Sequence, residues 1–118
     1  MMEEHLQALL DAALSFPVAW GNMGRGVSTP RASVYRVGGL RDMTLQGPGL
    51  MLGRLQVDCY GKTFAEADAA RKEVCATLED YAGGPVQGVF LEAIRDGFEG
   101  DAQLLQRVSL TFSVTYRD

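Results

Sequence analysis

Histidine is almost missing from this chain: His5 is the only one in 118 residues. With it go most Ser-His-Asp, Cys-His and imidazole-based metal arrangements, because His5 itself falls on the polar side of an N-terminal helix. The two cysteines, Cys59 and Cys75, have no C-x-x-C partner. Both fall on or beside faces expected to be buried, which suits small hydrophobes carrying free thiols in a reducing, cytoplasmic setting. A strand-to-helix disulfide is conceivable, although nothing in the spacing forces it. No apolar run approaches the roughly 20 residues that span a bilayer. The first residues, MMEEHLQALLDAAL, are acidic and amphipathic, unlike a signal peptide. Positive charge is also short. A formal net charge of −4 leaves no basic excess for sequence-independent nucleic-acid binding. No carboxylate pair is singled out for general acid–base work, and no enzyme is expected.

What is present is a strong secondary-structure pattern. The stretch from Gly53 to Gly84 reads as a strand, a tight turn and the longest helix. Leu55, Val57 and Cys59 alternate with Arg54, Gln56 and Asp58, the period of a strand with one buried face. After the Gly61-Lys62 turn, Thr63 stands three residues before Glu66, the spacing of a capping box. Ala67, Ala70, Val74, Leu78 and Tyr81 then form one apolar stripe, and Gly83-Gly84-Pro85 is expected to stop the helix.

Upstream, residues 3–15 read as a helix presenting Leu6, Leu9, Leu10, Ala13 and Leu14 on one face, with Glu3, Glu4 and Asp11 in solvent. Phe16-Pro17 ends it, and Val18-Ala19-Trp20 can form a short strand. Residues 21–33 are glycine-rich and without period. They do not follow the G-x-x-x-x-G-K-[ST] phosphate pattern and read as a flexible arm that orders against a neighbour. Val34–Val37 is a short strand that Gly38-Gly39 breaks. Residues 41–53 then form either a hairpin with its tip at 46–49 or a disordered excursion. Leu50, Met51 and Leu52 are either covered by something else or simply begin the next strand.

Downstream, residues 86–95 read as a strand with apolar residues on both faces, followed by a polar connection over 95–101. There Asp96, Glu99 and Asp101 read as a solvated turn rather than a cation site, and Arg95 is expected to pair with Glu92 or Asp96. Residues 107–117 alternate most cleanly. Val108, Leu110, Phe112, Val114 and Tyr116 face one way, and a Ser/Thr face meets either solvent or another subunit. The order of elements implies one α+β domain over 1–118, a mostly antiparallel sheet of about four strands carrying two helices on one face.

Three ordered motifs resemble a known family. They are Arg54, Gln56, Asp58 and Tyr60 running into Thr63, Phe64, Glu66 and Ala67; then Val86, Gly88, Leu91, Arg95, Asp96, Phe98 and Glu99; then Arg107, Val108, Ser109, Phe112, Val114 and Tyr116. Val34-Tyr35, Arg41-Asp42 and Gly47-Pro48 add to the likeness. Together they are similar to the tail-completion (tail terminator, head-to-tail joining) proteins of long-tailed bacteriophages and related gene-transfer particles. The resemblance implies a non-enzymatic virion subunit, made in the host cytoplasm, with no cofactor and no membrane partner. It would assemble into a ring, usually a hexamer, that caps the head-proximal end of the tail tube. Its partners would be the tail tube protein, the head–tail connector protein and, transiently, the DNA in the lumen. A ring needs two complementary surfaces. The expected subunit or tube contacts are Arg25, Arg31, Arg41, Asp42, Gln46, Leu50 and Met51. A connector or minor tail protein of the same particle, or a small ligand-binding module, are the competing readings.

Overall fold

The structure, a computed structural model, describes residues 2–21, 30–41, 50–98 and 106–117. In chain order the elements are α1 (Met2–Ala13), β1 (Val18–Trp20), β2 (Arg31–Arg41), β3 (Leu50–Gly61), α2 (Phe64–Leu78), β4 (Val86–Phe98) and β5 (Gln106–Arg117). The strands form one sheet in the order β1-β2-β3-β5-β4; β1 runs parallel to β2 and every other pairing is antiparallel. The sheet therefore has five strands rather than about four. The added one is the three-residue β1, which follows the Pro17 break and gains its backbone partners from Ala32 to Val34.

Alternation decides the two faces. Ala32, Val34, Leu55, Val57, Cys59, Val108, Leu110, Phe112, Val114 and Tyr116 are buried in one apolar core. Leu6, Leu10 and Leu14 of α1 join them, with Ala67, Ala70, Val74 and Leu78 of α2. Ala13, expected on the buried face of α1, is exposed. Polar contacts tie each helix to the chain just beyond the other: Ser15, past α1, donates to the Glu73 carboxylate of α2 at 2.9 Å, and His5 Nε2 of α1 lies 2.6 Å from the hydroxyl of Tyr81, past α2. His5 is thus half-buried at a seam rather than on a solvent face, because the chain beyond α2 brings Tyr81 to it.

The capping box forms, with one difference. The Glu66 amide donates to Thr63 Oγ1 at 3.2 Å, but the Glu66 carboxylate accepts from the Lys62 amide, one residue before the cap. α2 stops at Leu78 rather than at the Gly83-Gly84 pair. Glu79 turns extended, and Asp80 sits at φ 62°, donating its amide to the Val89 carbonyl at 3.0 Å. That sheet contact ends the helix before the glycines are reached.

Several expected loops are strand. β2 starts at Arg31, so 31–33 is strand and not part of an arm, and it continues through Gly38 and Gly39 by a register shift between Arg36 and Gly38. A bulge absorbs the extra residue instead of breaking the pairing. β3 starts at Leu50, and Arg41 pairs with Met51, so 41 and 50–53 are the arms of a hairpin. Its expected tip at 46–49 lies outside the described residues. β4 runs on to Phe98, paired with Gln106, so Arg95–Phe98 is strand and not a connection. β4 carries two further register shifts, between Val86 and Gly88 and between Leu91 and Ala93; the latter moves Ile94 onto the row of Leu110 and leaves Ala93 and Arg95 on the opposite face.

Candidate assembly surfaces

The face of the sheet opposite the helices is built from the polar positions of four strands. Pairing sets them in rows: Arg31, Tyr60, Arg107 and Gly97; then Ser33, Asp58, Ser109 and Arg95; then Tyr35, Gln56, Thr111 and Ala93. The sequence read Asp58 as a polar-face residue but did not foresee its burial. Only 3% of it is exposed. Its carboxylate accepts from the Tyr35 hydroxyl at 2.8 Å and from Gln56 Nε2 at 2.9 Å, so each oxygen is matched to a donor. Arg31 is also buried, its guanidinium 5.3 Å from the centre of the Tyr60 ring.

These residues border an open cavity of about 430 Å³ lined by Gly21, Ser33, Tyr35, Asp58, Tyr60 and Arg107. Arg107 Nε is buried without a hydrogen-bond partner among the described residues. Further along the same face, Arg54 pairs with Glu92 at 3.0 Å across β5. The expected Glu92–Arg95 pair does not form. The bulge after Leu91 changes the phase of β4 and Arg54 reaches Glu92 first.

Burial and then the bond to Asp58 push the Tyr35 hydroxyl up to about 12, and burial above all pushes the Cys59 thiol up to about 12. Cys75 is also raised, mainly by burial, and both cysteines are free thiols. Raised values mean that folding favours the protonated forms, so their contribution is complete below the ordinary values, near 9 for the thiol and 10 for the phenol, and is lost as pH rises through about 12. The expected result is stability flat from neutral pH to about 9 and falling steadily above it, with both thiols slow toward iodoacetamide until the chain unfolds. Denaturant melts at pH 8 and 11 check this; equal midpoints would contradict it.

Both lateral borders of the sheet are open among the described residues. β4 is a thirteen-residue edge, and it carries Phe90, 59% exposed, and Ile94, 48% exposed. A long edge with large apolar side chains is a ready surface for another chain. Of the expected contact residues, Arg31 is a buried member of the open face and Met51 is half-buried against the core. Arg25, Asp42 and Gln46 lie outside the described residues, and Arg41 and Leu50 are described only by their backbone pairing. Glu99 and Asp101 are outside as well, while Asp96 stands in β4 opposite Val108. No group of three or more metal-ligating side chains occurs among the described residues, and no described helix is long and apolar enough to cross a membrane.

The architecture is an α+β domain, a five-stranded, mostly antiparallel sheet backed by two helices. The same fold is found in a chain of the virion of a native gene transfer agent particle, with a TM-score of 0.61 and 17% identity over 96% of this chain and 84% of that one. A second solved chain matches with a TM-score of 0.51 and 20% identity, over 100% of this chain and 99% of the other. No protein-family model matches the chain, and no curated protein matches it either.

Proposed function

We propose that this chain is a structural subunit of a phage-type particle, specifically a tail-completion subunit that forms a ring at the head-proximal end of the tail tube and joins tail to head. The observation that carries the reading is the fold shared with a gene transfer agent virion chain over nearly the whole length of this one. The ordered motifs in β3–α2, β4 and β5 support the finer assignment. In this reading the protein has no catalytic role and no cofactor. It acts in the virion, hexameric in the ring, with the tube protein below, the connector protein above and DNA passing through the lumen. The exposed apolar residues of the β4 edge suit lasting contact with another chain. Electron microscopy of particles made without the gene tests it: the expected products are tails of uncontrolled length without heads, beside filled heads without tails. Normal particles would refute it.

A further inference from the structure

At the border of the sheet opposite β4, α1 and β1 enclose a groove of about 350 Å³ lined by Glu4, Gln7, Ala8, Asp11 and Trp20. Glu4, Ala8 and Asp11 are spaced four and three residues apart, which sets them on one side of α1. Gln7 commits both amide hydrogens, one to Asp11 Oδ1 at 3.0 Å and one to the Val18 carbonyl at 3.1 Å. Its Oε1 is left as a buried acceptor without a donor among the described residues. The groove therefore presents the carboxylates of Glu4 and Asp11 and the indole ring of Trp20. All of these attract a cation and none of them donates, the indole N–H aside. A planar guanidinium, with five N–H donors and a face that stacks on aromatic rings, is the group that fits.

A matching group stands at the other border. Arg95 of β4 is exposed, and it forms no ion pair or hydrogen bond with any described residue. Arg54 is held by Glu92 and Arg71 by Asp68, while Arg107 is turned into the open face. The strand order puts the groove and Arg95 at opposite ends of one sheet. Opposite ends of one subunit become neighbours when copies associate head to tail, the geometry that closes a ring.

We infer that the α1–β1 groove is a socket for the Arg95 side chain of a second copy of this chain. The inference rests on the ring-subunit reading and deepens it by naming the contact between copies. Trp20 is the only tryptophan in the chain, so its fluorescence reports the groove directly.

The test follows self-association of the purified full-length protein by sedimentation and Trp20 emission across a dilution series. The wild-type chain is expected to associate with a change in emission. Arg95→Glu should weaken association at least ~10-fold and abolish the emission change, without altering thermal unfolding, because an exposed ion pair at an interface acts mainly on association. Glu4→Lys combined with Asp11→Lys should weaken it similarly, and adding Arg95→Glu to that pair should restore association. Restoration by reversed charges is a result that damage to the fold cannot produce. A wild-type chain that stays monomeric, an Arg95→Glu variant that associates as wild type does, or failure of the reversed pair to recover would each overturn the socket. The particle assay separates this from the broader reading. If the gene is required at the junction but Arg95→Glu supports normal particles, the socket is wrong and the junction role stands. If particles are normal without the gene, the junction role itself is wrong.

Discussion

Replacing Phe112 with alanine is expected to lower stability by about 3–5 kcal/mol, the usual range for deleting a fully buried aromatic ring. Phe112 is the largest of the fully buried side chains, and it sits on β5 between Leu55 of β3 and Leu91 of β4. The ring is thus flanked on both sides by strands and covered by the helical layer, so the neighbouring backbone has little freedom to close the void. Domains of this size hold only about 5–15 kcal/mol in total. The loss should therefore lower the thermal midpoint by roughly 10–25 °C and leave a measurable unfolded fraction near 37 °C. Calorimetry checks it. A drop below about 1 kcal/mol would mean that the core is not packed around β5 as described.

Gly61→Ala is expected to produce the second large loss, from crowding rather than from a void. A Cβ at Gly61 would lie 2.6 Å from the Ala67 backbone nitrogen and 2.8 Å from Glu66 Cβ. Backbone in the first turn of α2 cannot step aside as a flexible side chain would. Either the β3–α2 turn opens, weakening the bond from the Glu66 amide to Thr63, or the last pairing of β3, Gly61 with Gln106, is released. Overpacking of this kind costs roughly 1–3 kcal/mol. A denaturant melt of the variant at neutral pH measures it; a midpoint equal to that of the wild type would show that the turn has room it is not seen to have.

Much of the fold was legible because local pattern and tertiary environment agree. The strict alternation of β5, the Thr63–Glu66 cap and the Ala67–Leu78 stripe each specify one conformation, and each is found. Errors fall where pairing overrides local preference. Gly38-Gly39 and Arg95-Asp96-Gly97 look like breaks, yet β3 and β5 supply hydrogen-bond partners along their whole length, and bulges absorb the mismatched phase. The same bulges explain why Arg54, rather than Arg95, meets Glu92.

The surfaces were less legible than the core. The polar side of β3 was evident, but the burial of Asp58 depends on a tyrosine from β2 that no spacing within β3 reveals. Likewise Gln7 and Trp20 are ordinary residues of a terminal helix and a short strand until β1 pairs with β2 and closes the groove beside α1. Charge at i and i+7 on α1 was visible, although it read only as a solvated face.

The central claim, that this chain closes a tail at its junction with the head, is tested most directly by measuring tail lengths and counting joined particles in electron micrographs of a producer lacking the gene, with and without the wild-type gene supplied in trans. The account predicts broadly distributed, headless tails that regain a uniform length and attached heads on complementation. Uniform tails already joined to heads in the absence of the gene would contradict it.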